Sequence, residues 1–216
     1  MNPWRKQKRR LVGFNLLNLF SLQRGEPRPF CPDEFQLIAD WGFNFVRLPI
    51  DYRFLLGEDE SVDQLRCALL DPAVELAERS GLHVNINLHR APGFCINTPR
   101  DSWTLWTDPS TQGRFIALWE ALALHYKGAG ACVSFNLVNE ATGCDLQTYT
   151  ALMRRTAQAI QAIDVSMPII IDGHNVGCTP VPGVIDLGLG QSVHCYAPHW
   201  FTHYQASWVY RSGDPY

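Results

Sequence analysis

A chain of 216 residues with 46% hydrophobic side chains can bury a sizeable core and reads as one globular domain. Charged residues are only 18%, while aromatics reach 12% with seven Trp, which suits both a large core and flat faces that stack on sugars. The net charge is −3; setting aside the five cations Arg5, Lys6, Lys8, Arg9 and Arg10 leaves residues 11–216 at −8, which excludes the basic stripe of a nucleic-acid-binding face.

Residues 1–10 form a basic N-terminal tail, and 11–216 form the folded domain. The tail followed by Leu11–Phe20 mimics the start of a secretory signal, but Gly13, Asn15 and Asn18 interrupt the apolar run and no small-x-small site closes it. Leu11–Phe20 is therefore read as the first strand. Pro32-Asp33-Glu34 opens a helix through Trp41, which Gly42 stops. Phe43–Ile50 is an apolar second strand. Asp71-Pro72 starts a helix to Ser80, with Asp71 as its N-cap. His83–His89 is the third strand. Ser110–Tyr126 is helical, with Phe115, Leu118, Trp119, Leu122 and Tyr126 on one face. Val133–Asn139 is the fourth strand, Leu146–Ile163 the longest amphipathic helix, Pro168–Ile171 the fifth strand and Gln191–Ala197 the sixth. No stretch approaches the ~20 apolar residues of a membrane span.

Strand alternating with helix predicts an α/β fold with a parallel sheet and helical crossovers. The polar residues able to do chemistry gather toward strand C-termini: Arg47, His89, Asn139-Glu140, His194 and Tyr196. Both a (β/α)₈ barrel of the TIM type and a doubly wound sheet place their sites at that end. The doubly wound alternative lacks a G-x-G-x-x-G loop after the first strand, so the barrel is favoured, with about six of its eight strand–helix units present. Seven cysteines (Cys31, Cys67, Cys95, Cys132, Cys144, Cys178, Cys195) are odd in number and without C-x-x-C spacing, giving neither a zinc ribbon nor a disulfide framework. They point weakly to a cytoplasmic, reducing setting, with secretion left open. His199 and His203 are four apart, but neither H-E-x-x-H nor a Cys/His ligand pattern occurs, so no metal or other cofactor is expected. A serine hydrolase is excluded by the absence of G-x-S-x-G.

Four short segments carry a resemblance. These are Trp41-Gly42-Phe43-Asn44-Phe45-Val46-Arg47-Leu48-Pro49, Asn87-Leu88-His89-Arg90-Ala91-Pro92-Gly93, Phe135-Asn136-Leu137-Val138-Asn139-Glu140 and His194-Cys195-Tyr196. In this order they resemble the cellulase-like enzymes of glycoside hydrolase family 5, over nearly the whole chain. The resemblance implies a retaining β-glycosidase acting on a β-glucan or β-mannan, with a carbohydrate as its substrate. It implies Glu140 as the acid/base, kept protonated near neutrality, and Asn139 as the partner of the sugar 2-hydroxyl. Arg47 and Tyr196 would hold the nucleophilic carboxylate, and His194 and His89 would line the cleft. Trp103, Trp106, Trp200 and Trp208 are candidate sugar platforms. The expected nucleophile is a later strand-end glutamate, yet no glutamate follows Glu140, and Asp214 is the only acid after Tyr196. The chain is thus expected to be a C-terminally incomplete barrel without activity of its own, its partner being the missing barrel segment. The alternative is a short protein of the same fold that binds a carbohydrate or a partner without cleaving it.

Overall fold

The computed structural model describes residues 10–20, 28–97, 99–100 and 102–206. Among them, six strands form one parallel sheet: β1 (Gly13–Asn15), β2 (Phe45–Asp51), β3 (His83–Arg90), β4 (Val133–Asn136), β5 (Ile169–Asp172) and β6 (Gly190–Ser192). Four longer helices join them: α1 (Pro32–Asp40), α2 (Asp71–Arg79), α3 (Pro109–His125) and α4 (Leu146–Ile163). The spatial order of the strands is their order in the chain. A doubly wound sheet reverses that order at a switch point. With no reversal here, the topology is that of a partial (β/α)₈ barrel, a half-barrel open at β1 and at β6.

In-register parallel strands keep side chains of equal parity on the same face. One face carries Val46, Leu48, Ile50, Val84, Ile86, Leu88, Val133, Phe135, Ile169 and Ile171, all buried beneath the helices. The register places Asn15 beside Arg47, Arg47 beside Asn85, Asn87 beside Asn136 and Asn136 beside Ile170, so the opposite face is largely polar. Its central residues Asn85, Asn87 and Asn136 are buried as well, and they are paired: Asn85 Nδ2 donates to Ser134 Oγ at 2.9 Å, and Asn87 Nδ2 to Asn136 Oδ1 at 2.9 Å. Burial on both faces therefore comes from two different chemistries, not from two apolar faces.

The helices are specified locally. Asp108 caps α3, its carboxylate accepting from the Ser110 and Thr111 amides, and Asp145 caps α4 through the Thr148 amide at 2.7 Å. From α3, Trp119 packs on Phe135 and donates its indole N–H to Leu137 O at 3.2 Å. From α4, the Tyr149 hydroxyl donates to Asp172 O at 2.7 Å, pinning the end of β5.

Several boundaries differ from expectation. The first strand shrinks to Gly13–Asn15, because Asn18 and Leu19 turn inward and Asn18 Nδ2 donates to Pro29 O. Asp71 is not an N-cap: the 3₁₀ turn Gln64–Leu70 runs straight into α2, and the Asp71 carboxylate instead accepts from His125 and Tyr126. The sixth strand stops at Ser192, so Cys195, Tyr196 and the exposed Val193 follow it outside the ladder. The basic residues Arg5, Lys6, Lys8 and Arg9, together with Trp208 and Asp214, lie outside the described residues.

Candidate active site

The site forms where β4 leaves the ladder. After Asn136, Leu137 N still donates to Ile170 O and Asn139 N to Leu88 O, so the chain stays fastened to both neighbouring strands. Glu140 then adopts a left-handed φ of 50°, an uncommon conformation for a non-glycine residue. Its amide donates to Asp172 Oδ2 at 2.9 Å. Glu140 is not a helix cap, since α4 begins only at Leu146 and is capped by Asp145.

The Glu140 carboxylate accepts on Oε1 from His194 Nδ1 at 2.8 Å and from the Tyr196 hydroxyl at 3.0 Å. The other nitrogen of His194, Nε2, lies 2.9 Å from Asp172 Oδ2. A ring whose two nitrogens each face a carboxylate carries two protons and is an imidazolium. Burial presses the His194 pKa down, but the bonds to Asp172 and Glu140 prevail and raise it to about 9. Burial pushes the Glu140 pKa up, and the His194 bond overcomes this and holds it below the usual carboxylate value. Glu140 is thus ionised at neutral pH here, contrary to the expected protonated carboxyl; a double-donor cation within bonding distance outweighs the cost of burial. Tyr196, raised to about 12 by burial and by Glu140, keeps its proton and donates it to Glu140.

Arg47 lies within β2 and not at its end, and its side chain crosses the polar face. It donates to Asn136 Oδ1 at 2.8 Å and to Asn139 Oδ1 at 3.0 Å. Asn136 also gives its amide to Asp172 Oδ1 at 3.0 Å, joining Arg47, Asn87 and Asp172 in one network. His89 donates from Nδ1 to Asn87 Oδ1 at 3.1 Å, and burial, aided by Arg47, drives its pKa down to about 3, so it is neutral at ordinary pH.

Arg47, Asn139, Glu140, His194 and Tyr196 are therefore brought into one hydrogen-bonded array, with His89 joined through Asn87. Two members escaped sequence reasoning, Asn136 and Asp172. Their signal was present: Ser134 and Asn136 alternate as polar residues in an otherwise apolar strand, and Ile169-Ile170-Ile171 closes on an acid. The Trp candidates divide. Trp106 is buried between Phe94, at 4.9 Å, and Tyr149, at 6.0 Å, so it is a core residue and not a platform. Trp103 is half-buried against Phe94 and Gly143, and Trp200 is 65% exposed. Among the described residues, no group of three His, Cys, Asp or Glu is placed to hold a metal ion, and no helix is long and apolar enough to cross a membrane.

The His194 ring rests on Gly177, whose φ is 78° and where an added Cβ would lie 2.6 Å from His194 Cδ2. Gly177→Ala is expected to destabilise the fold by more than about 1 kcal/mol and to separate His194 from Glu140, visible as a fall of the His194 pKa in an NMR titration. The raised pKa also sets a pH dependence. Its contribution to stability is complete below the unfolded imidazole pKa of about 6.5 and is lost as pH rises through about 9. Urea melts taken across pH 6–10 should show falling midpoints at the alkaline end, and a His194→Gln variant should show a smaller decline.

The family model for Cellulase (glycosyl hydrolase family 5) matches residues 21–214. Endoglucanase C of Acetivibrio thermocellus is 30% identical over 182 residues, covering 81% of this chain and 52% of that protein. The solved structure of a glycoside hydrolase superposes with a TM-score of 0.84 at 35% identity, over 93% of this chain and 65% of that one. Thermotoga maritima Cel5A, solved as a mutant form with cellobiose, gives 0.77 at 25% identity, over 98% of this chain and 73% of that one. This chain spans about half the length of the curated relatives it matches. On the family match and on these relatives, the chain belongs to glycosyl hydrolase family 5, the cellulase family.

Proposed function

We propose that this chain carries the acid/base portion of a retaining β-glycoside hydrolase that acts on a β-glucan, with β-mannan as the rival substrate. The observation that carries this reading is the Glu140 carboxylate, held at the strand ends by His194 and Tyr196 beside the Arg47–Asn139 pair. Glu140 would protonate the leaving glycosidic oxygen and later take a proton from the attacking water. Asn139, its Oδ1 engaged by Arg47, would offer its amide to the sugar 2-hydroxyl, while neutral His89 would meet sugar hydroxyls. Arg47, His194 and Tyr196 would fix the carboxylates. Trp200 and Trp103 would stack on sugar rings.

A retaining mechanism needs a second carboxylate ~5–5.5 Å away. Asp172 does not suit that role, because its side chain is fully buried and accepts from Asn136, His194 and the Glu140 amide. The nucleophile would come from outside residues 1–216, within the two strand–helix units that would close the sheet from β6 back to β1. The 216-residue chain alone would then be inactive. The free thiols at Cys31, Cys67, Cys132, Cys144, Cys178 and Cys195 favour a reducing compartment.

The buried state of Asp172 equally favours a second reading, a protein of this fold that binds a carbohydrate or a partner without cleaving it. Assays of the 216-residue chain, and of a version completed by two further units, against cello- and manno-oligosaccharides separate the two. Turnover only in the completed form supports the hydrolase; oligosaccharide binding by the 216-residue chain, with no turnover in either form, supports the binding protein.

A further inference from the structure

The acid/base reading leaves a chemical difficulty. Glu140 is ionised in the resting site, yet its first task would be to give a proton away. Two protons lie within reach of its Oε1, on Tyr196 Oη at 3.0 Å and on His194 Nδ1 at 2.8 Å. The Tyr196 hydroxyl releases its proton only near pH 12, whereas His194 is a cation that can lose one and become neutral.

We infer that Asp172 is a positioning residue for Glu140, holding His194 as a doubly donating imidazolium so that the Asp172–His194–Glu140 chain stores the proton Glu140 delivers. This rests on the reading of Glu140 as acid/base. In the loading step, the Nδ1–H bond of His194 breaks and an O–H bond forms at Glu140 Oε1. His194 becomes neutral imidazole, still donating Nε2–H to Asp172, and Glu140 becomes a neutral acid. The proton then passes to the glycosidic oxygen as its bond to the sugar breaks. When Glu140 later takes a proton from water, the same transfer in reverse restores the imidazolium.

Asp172 is placed for this by four separate bonds. Oδ2 takes both His194 Nε2–H and the Glu140 amide, so one atom fixes the ring and the backbone beneath the acid. Oδ1 takes the Asn136 amide, and the Asp172 carbonyl is held by Tyr149. The charged and titratable groups around His194 come from several elements: His89 on β3, Glu140 after β4, Asp172 on β5, and Cys178 and Tyr196 from the loops, while Arg47 on β2 acts on the same two carboxylates. Of these, Arg47 and any charge on His89 oppose the imidazolium, and the two carboxylates favour it. Removing the Asp172 charge therefore leaves Glu140 alone against Arg47.

The test is a histidine ¹⁵N NMR titration of the 216-residue chain and its variants, which needs no turnover. In the unsubstituted chain, His194 should keep both ring protons through neutral pH and lose one near 9. In Asp172→Asn, it should titrate close to the ordinary imidazole value of about 6.5, with the Glu140 carboxyl rising in parallel. An unsubstituted His194 that already titrates in the ordinary range, or one unmoved by Asp172→Asn, overturns the inference. If Asp172→Asn does not fold, His194→Gln replaces it: the Glu140 ¹³C carboxyl pKa should rise, and an unchanged value overturns the proposal. Failure of the hydrolase reading shows separately, as equal activity of Glu140→Gln and unsubstituted completed protein with these titrations intact.

Discussion

In a polypeptide carrying the completed barrel, Glu140→Gln is expected to lower turnover of a cello-oligosaccharide by about 10²–10⁴-fold, the usual contribution of a positioned acid/base. Gln keeps the shape, the backbone bond to Asp172 and an oxygen for His194 and Tyr196 to donate to, so the fold should melt within about 1 kcal/mol of the parent, as one altered hydrogen bond implies. What it lacks is a transferable proton. The loss should therefore depend on the leaving group. An aryl glycoside that departs readily as a phenolate needs little protonation, so its bond-breaking step should be nearly unaffected, while an alkyl or sugar leaving group should suffer in full. A loss below tenfold on the oligosaccharide, or an equal loss on both substrates in that first step, would sink the assignment of Glu140.

Trp119→Ala is expected to cost about 3–5 kcal/mol, the range for emptying a large aromatic site in a core. Among the described residues, Trp119 is the largest fully buried side chain, packed on Phe135, and its indole N–H satisfies Leu137 O in the stretch between β4 and Glu140. The substitution removes volume and orphans a buried carbonyl at once. Against total stabilities of about 5–15 kcal/mol, such a loss takes much of the margin, and denaturant melts should record it as a lower midpoint. Trp119→Phe separates the two effects, since it keeps most of the volume and gives up the hydrogen bond. A change below about 1 kcal/mol on Trp119→Ala would mean that this contact does not anchor the sheet.

How far the fold was legible depended on how local its causes were. Helix α4 was read end to end because its long apolar period lies within its own sequence. The four apolar residues named on α3, Phe115, Leu118, Trp119 and Leu122, and Tyr126 at its C-cap are all buried for the same reason. The 3₁₀ turn Gln64–Leu70 has no comparable period, so the start of α2 at Asp71 was read correctly but the turn that leads straight into it was not, and Asp71 was taken for its N-cap. Strand lengths were overestimated at β1, β4 and β6, where ladder bonds from neighbours, and not β propensity, decide where pairing stops. In the site, residues carrying a recognisable motif were found together. Asp172 was missed because its role depends on reach across the sheet: an acid after three isoleucines says nothing of the ring and the amide that will meet it. Attention to glutamate alone hid it further. The charge state of Glu140 was misjudged for a related reason, since only three dimensions place a second carboxylate behind His194.

The polar face of the sheet bears on how an open half-barrel behaves in water. An unclosed sheet with two apolar faces would present grease to solvent, and would collapse on itself or on its neighbours. Here one wall is a lattice of amides, hydroxyls and a guanidinium that is largely internally bonded, so exposing it costs less than exposing an apolar face. Among the described residues, the vulnerable lines are instead the two rims: β1, where Phe14 and the preceding Val12 are each 43% exposed, and the backbone of β6. Any chain that docks there must bring strands whose own N–H and C=O groups match a parallel register. Pairing at these rims is accordingly a matter of edge-to-edge recognition between backbones, in which the polar face takes no part.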